Sequence, residues 1–363
     1  MTDLTYTPPK TIEWTGDVCR LLDQTKLPGE ETYLDIADET AMWGAIKRLS
    51  VRGAPAIGVA AAYGLYLGAR NRQPQTRQDA IAATREVADY LATSRPTAVN
   101  LFWALDQCRK VAEERPAEAS ASDVLDALLK AAKAIHADDR ERCAAIARHG
   151  APLLSGKAGV LTHCNAGALA TAGVGTALGV IIEGALRENA AMTVYVDETR
   201  PLLQGARLTA WELKNAGVAH RLIADNMAAT AMQRGLVQAV VTGADRIASN
   251  GDSANKIGTM PLAIVARHFN VPFYIAAPLS TVDLSLGTGA DIPIEERDGE
   301  EITSIRGQQV APLGTSTFNP AFDVVPASLI EAIVTEVGIV RKPFSINLRK
   351  AFEVDFRGGE TLA

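Results

Sequence analysis

From Gly159 onward the sequence alternates short β-branched runs with helix-length segments, the pattern that most restricts how this chain can fold. The runs occupy 160–162, 193–196, 221–223, 239–241 and 272–275. Each is too short to be a helix, and enough chain follows each for a crossover, which is the βαβ signature of a parallel sheet. Ligands of such sheets bind beyond the carboxyl ends of the strands. Those ends carry Cys164-Asn165, Asp197-Glu198, Asp225-Asn226, Asp245-Arg246 and Pro278. The sequence thus predicts a row of chemically capable residues along one edge of a sheet.

The preceding region has a different period. Segments 39–49, 55–70, 77–93 and 99–114 place apolar residues at helical spacing, and the short apolar stretches 12–14 and 33–36 read as strands. Residues 115–122 mix Pro, Ala, Glu and Ser before another helical run over 124–149, which puts a domain boundary near residue 130. A length of 363 residues suits two domains sharing a cleft. Farther on, 283–319 reads as a long functional or mobile loop with an acidic run at 295–301, and helix is expected to resume over 326–337.

Composition narrows the function. Apolar residues make up 47% and charged residues 21%, a globular balance, and the net charge of −6 offers no basic field for a nucleic acid. The polar N-terminus lacks the zones of a secretory signal, and the apolar windows at 53–68 and 159–186 are interrupted by Gly, Thr, Asn and His, so no membrane span is expected. Cys19, Cys108, Cys143 and Cys164 are far apart with no CxxC spacing, which favours thiols in a cytoplasmic protein and no zinc site.

Cys164 ends a strand within Thr162-His163-Cys164-Asn165-Ala166-Gly167 and precedes the glycine-rich 167–179. If that segment is a helix, its amides favour a thiolate or a bound anion; the alternative is a small buried thiol beside glycines that only let elements pack closely. His163 and Cys164 adjoin on a strand and so point apart, which argues against a Cys-His dyad. The glycines do not form a dinucleotide fingerprint, since they read GxGxxxG.

Asp245, closing the apolar strand before Arg246, is a candidate proton donor if burial raises its pKa, or else a turn cap. Asn255 and Lys256, just ahead of a helical run at 258–268, are candidates for holding phosphate or hydroxyl groups. Arg52-Gly53-Ala54 precede a helix begun by Pro55, where Arg52 either clamps phosphate or stays in solvent; Arg95 before Pro96 poses the same choice. Gln204 is a candidate for sugar hydroxyls, while Asp197, Glu198 and Arg200 read as a network shaping a turn. The polar stretch near Asp252 lacks the spacing of a calcium loop, so no metal is inferred.

Taken together, the strings VRGAPAIG, SRPTAVN, THCNAGALATAG, VDETRPLLQGARLTAWEL, TGADRIASNGDSANKIGT, AAPLSTVD and NPAFDV resemble the methylthioribose-1-phosphate isomerase family, in order, over about 51–340. The resemblance implies an α/β fold: a mostly helical N-terminal domain with a small sheet over 1–130, contributing to substrate binding, then a Rossmann-like catalytic domain with a parallel sheet over 131–363. It implies that Cys164 and Asp245 are the catalytic pair, with Arg52, Gly53, Ala54, Arg95, Gln204, Asn255 and Lys256 binding substrate. The implied reaction is aldose-ketose isomerisation of 5-methylthioribose 1-phosphate by a homodimer, with no metal or organic cofactor. Because initiation factor 2B regulatory subunits share the fold, a non-catalytic subunit is the alternative from another class, and isomerases of 5-deoxyribose 1-phosphate or ribose 1,5-bisphosphate are nearer rivals.

Overall fold

The computed structural model describes residues 6–95, 98–189 and 191–354. Pro96 and Thr97 of the 94–100 motif, and the chain ends included in the expected domains, lie outside the described residues. The described chain forms two compact units, one of 8–141 with 168–173, the other of 6–7, 142–167 and 174–354.

The helical unit opens with an antiparallel sheet of β1 (Ile12–Trp14), β2 (Cys19–Leu22) and β3 (Tyr33–Ile36), in that order. Then come α1 (Glu39–Lys47), α2 (Ala54–Asn71), α3 (Arg77–Ala92), α4 (Val99–Glu113) and α5 (Ala121–Gly150), the last contributing its residues up to 141. Helix α2 is apolar around most of its circumference, so it is buried between neighbours rather than laid on a surface. Its alanines and glycines permit close approach: a Cβ on Gly58 would lie 2.9 Å from the carbonyl of Asn100 in the first turn of α4. Helix α3 starts at a capping box in which Thr76 and Asp79 satisfy each other's backbone amides.

The other unit is built on seven strands in the order β16-β15-β10-β7-β4-β5-β6: β4 (Gly159–Thr162), β5 (Thr193–Asp197), β6 (His220–Ile223), β7 (Ala239–Thr242), β10 (Phe273–Ala276), β15 (Ala332–Thr335) and β16 (Gly338–Val340). All pairs are parallel except β15 with β16. Every residue of β4, β7, β10 and β15 is buried, which is why these strands read as unbroken apolar runs. Helices α6 (Ala177–Glu183), α7 (Ala210–Asn215), α8 (Ala228–Gln233), α9 (Thr259–His268) and α11 (Phe344–Ala351) accompany it. A second sheet, in the order β11-β8-β9-β14, contains β8 (Arg246–Ala248), β9 (Ser253–Lys256), β11 (Val282–Asp283) and β14 (Phe322–Val325). The fold is mixed α/β with a mainly parallel sheet, as the alternation predicts.

Three expectations are corrected. Segment 326–337 is not helix but a 3-10 turn, Ala327–Leu329, followed by β15. Segment 167–179 is not one helix: a 3-10 turn spans Ala168–Ala170 and α6 starts only at Ala177, because Gly175 takes φ +90 and breaks the run. Segment 283–319 is not structureless, since it holds the 3-10 turn Gly289–Asp291, α10 (Glu300–Thr303) and the hairpin of β12 (Ser304–Ile305) and β13 (Gln308–Gln309). No described helix is long and apolar enough to cross a membrane.

Candidate active site

Strands β7, β4 and β5 are hydrogen-bonded neighbours, so the loops leaving their carboxyl ends emerge side by side. The loop after β4 carries Cys164, the loop after β7 carries Asp245, and the loop after β5 carries Gln204. Neighbouring strands lie about 4.8 Å apart. The first two loops also touch: a Cβ on Gly243 would lie 2.8 Å from Cβ of Ala166. The Asp245 amide donates to the carbonyl of Ala254 at 2.9 Å, which ties it to the residue preceding Asn255 and Lys256. Five of the expected site residues are thereby gathered in this unit.

Cys164 sits in a left-handed turn with φ 64, a conformation that non-glycine residues rarely adopt. Its surroundings hold it there. The Cys164 amide donates to Oγ1 of Thr199 at 2.8 Å, and its carbonyl accepts from Oγ1 of Thr209 at 2.6 Å. Next to it, Asn165 is buried and donates through Nδ2 to Oε1 of Glu212 at 2.7 Å. Thr199 and Leu203 are left-handed too, with φ 65 and φ 59, so backbone strain concentrates around the thiol. Cys164 is half-buried, whereas Cys19, Cys108 and Cys143 are buried, and burial pushes the Cys108 thiol up to about 12. The helix expected to open beside Cys164 is absent, since α6 starts only at Ala177.

The loop after β5 is shaped by Asp225, whose two carboxylate oxygens accept from the amides of Thr199 and Arg200, each at 2.7 Å. The Asp197-Glu198-Arg200 turn is thus held largely from outside itself. Gln204 is 6% exposed and its Oε1 has no hydrogen-bond partner, an uncompensated cost that a hydroxyl or amide from a ligand removes. It precedes a π-helical turn, Gly205–Thr209. Gly205 is obligatory there, since a Cβ would fall 1.7 Å from the carbonyl of Asp197.

His163 points away from Cys164 chemistry. Its Nδ1 lies 3.0 Å from Oδ2 of Asp197 and its Nε2 lies 2.9 Å from the carbonyl of Ile257. Burial opposes charge on the ring, but the Asp197 hydrogen bond and charge, the Asp225 charge and the Ile257 carbonyl together raise its pKa. Burial likewise pushes Asp197 up to about 6, partly offset by His163. Ligand atoms of His163, Asp197 and Asp225 lie within 4.8 Å of one another. The imidazole is not set up as a metal ligand, however, because Nε2 donates to the Ile257 carbonyl and Nδ1 is engaged by Asp197.

Asn255 and Lys256 close β9, just ahead of α9 as the sequence predicts. Nδ2 of Asn255 donates to Oγ1 of Thr259 at 3.0 Å. Nζ of Lys256 donates to the carbonyl of Ala321 at 2.8 Å and stands 4.4 Å from the ring centre of Phe322, so its charge is aimed rather than trailing in solvent. Opposite Asn255 in register, Asp323 accepts from the amides of Gly258 and Met260 at 2.8 and 3.0 Å.

Within the helical unit, Gly53 takes φ +89 as the residue before α2, and a Cβ there would fall 2.5 Å from the backbone of Ala170. Glycine is required on both counts. Arg52 and Ala54 flank it, each half-buried, and Arg95 is half-buried ahead of α4, whose first turn packs on α2 through Gly58. Sequence reasoning did not single out Thr199, Thr209, Glu212 or Asp323. All four lie in or beside the motif strings, and partners so remote in sequence leave no local signal.

A model of the initiation factor 2 subunit family matches residues 50–342. The methylthioribose-1-phosphate isomerase of Pelotomaculum thermopropionicum is 52% identical over 345 residues, covering 94% of each chain. The 5-deoxyribose 1-phosphate isomerase of Moorella thermoacetica is 51% identical over 355 residues, 97% of this chain and 100% of that one. Among solved structures, 5-methylthioribose 1-phosphate isomerase from Pyrococcus horikoshii OT3 matches with a TM-score of 0.90 at 41% identity, covering 98% of this chain and 100% of that chain.

Proposed function

The chain belongs to the initiation factor 2 subunit family, and from that premise we propose that it is an aldose-ketose isomerase converting 5-methylthioribose 1-phosphate to 5-methylthioribulose 1-phosphate in methionine salvage. The observation that carries the reading is the placement of Cys164 and Asp245 just past the carboxyl ends of two paired parallel strands, in a chain about half identical to enzymes of that name. Phosphate on the anomeric oxygen prevents simple ring opening, so a protein acid has to assist. Asp245 protonates the ring oxygen as its bond to C1 breaks, Cys164 handles the hydrogen passing from C2 to C1, and the C2 hydroxyl yields its proton to restore the acid.

The mostly helical domain contributes Arg52, Gly53, Ala54 and Arg95 to substrate binding, the two guanidinium groups answering the phosphate. The Rossmann-like domain adds Gln204 for sugar hydroxyls, an assignment favoured by its buried, unpartnered oxygen, together with Asn255 and Lys256. The enzyme works as a cytoplasmic homodimer, without a nucleic-acid partner and without a metal or organic cofactor.

The name of the Moorella thermoacetica relative favours 5-deoxyribose 1-phosphate as a second reading. Comparing kcat/KM for methylthioribose 1-phosphate, 5-deoxyribose 1-phosphate and ribose 1,5-bisphosphate decides between them. The first is expected to be highest; a reversed order transfers the assignment. Turnover in heavy water tests the role at carbon: deuterium at C1 of the product marks a proton route, and its absence a hydride route.

A further inference from the structure

Among the described residues, His163 is a buried titratable group whose bonds span the site without entering the chemistry proposed above. We propose, resting on the isomerase reading, that His163 is a positioning residue: one hydrogen bond of its ring ties the turn bearing Cys164 to the end of β5, and the other ties it to the segment bearing Asn255 and Lys256. The ring is 1% exposed and immediately precedes Cys164. Its Nε2 bonds the carbonyl of Ile257, the residue that follows Lys256, and its Nδ1 bonds Asp197 at the end of β5. A carbonyl only accepts, so Nε2 carries a hydrogen, and the Nδ1–Oδ2 contact needs one more between the two atoms. Removing that second proton leaves two acceptors facing each other at 3.0 Å.

The segment held in this way has little freedom of its own. Gly258, at φ +102, lies against the ring so closely that a Cβ would come within 2.8 Å of Cε1. Asp323 fixes the amides of Gly258 and Met260, and Oγ1 of Thr259 donates to the carbonyl of Lys256. The titratable groups facing His163 are Asp197 from β5, Asp225 after β6 and Asp323 from β14, with Glu198 acting on Asp197. They are all acidic, so each favours the proton on the pair. The tie is complete while that proton is held and fails as pH rises past its release.

The test combines H163Q and D197N with the NMR signal of the His163 ring in the wild-type protein. Misplacing reacting groups by about 1 Å costs on the order of 10²-fold in rate. H163Q is therefore expected to fold and to lose roughly 10- to 100-fold in kcat/KM, mostly in kcat. The wild-type Cε1–H signal is expected to titrate above the ordinary value of about 6.5. In D197N, whose amide no longer stabilises the imidazolium, the alkaline limb of the kcat/KM profile is expected to move to lower pH. A folded H163Q within about twofold of wild type in both kcat and KM, a ring signal titrating at or below about 6.5, or an unmoved limb in D197N overturns the proposal. If neither variant folds, the wild-type signal decides. Wild-type protein that turns over none of the three sugar phosphates overturns the isomerase reading instead, and the ring signal still reports on the tie.

Discussion

Around α2 the helical unit buries Ala56, Ile57, Ala60, Tyr63, Leu65 and Leu105, an interior in which polar side chains are few. At and beyond the carboxyl ends of β4 and β5 the other unit buries His163, Asn165, Asp197, Thr199, Gln204 and Glu212. The first kind of burial contributes stability roughly in proportion to area and tolerates exchange of one apolar residue for another. The second costs desolvation that well-placed hydrogen bonds offset, as they do at His163 and Asn165, and that stays uncompensated at the Gln204 oxygen. The contrast separates the part of the molecule that is built for stability from the part that is built for geometry.

That separation breaks if substitutions at the two places have the same consequences. The largest effect is expected for Cys164→Ser and Asp245→Asn, each lowering turnover about 10²–10⁴-fold while thermal melting shifts little. The double variant should fall no further than the worse single one if the two act as a unit. In the helical unit, Leu105→Ala should cost about 2–5 kcal/mol in urea unfolding and leave kcat of the folded protein nearly unchanged. A large fall in kcat there would erase the contrast.

His163→Gln removes one partner of a buried pair and should cost about 3 kcal/mol. Because the folded-state pKa of His163 is raised, its contribution is whole below its unfolded value near 6.5 and is lost as pH rises through the folded value. The gap in stability between wild type and this variant should therefore narrow toward alkaline pH, as unfolding titrations across that range will show. The smallest effect belongs to Thr76→Ala, which opens the capping box of α3 at a cost of about 1 kcal/mol with kcat untouched.

Much of the fold was legible because the central strands are buried on both faces and leave β-branched runs such as Ala239–Thr242. The helix expected over 326–337 failed for an equally physical reason. Ile330, Ile333, Val334 and Val337 recur at helical spacing, yet they are buried through a turn, β15 and its return to β16. Strands β8 and β9 escaped notice because they are three and four residues long and partly polar.

In the site, the strand-end rule pointed to Cys164 and Asp245 as positions, and the motif order supplied their roles. The left-handed turn at Cys164 had no local signature, since nothing in Thr162-His163-Cys164 announces a positive φ. The bonds that impose it and that flank it join residues 35 apart, Cys164 to Thr199, and 94 apart, His163 to Ile257. Contacts of that range are written in tertiary structure alone.

The central claim is that Cys164 and Asp245 make this chain an isomerase of a 1-phosphorylated methylthiopentose. Phosphorus NMR of purified wild type, Cys164→Ser and Asp245→Asn, each incubated with methylthioribose 1-phosphate, reads it directly. Wild type is expected to convert the substrate completely to the ketose 1-phosphate signal, and either variant to leave a persistent substrate signal broadened by binding. A wild type that leaves the substrate unchanged, or a variant that converts it at the wild-type rate, would contradict it.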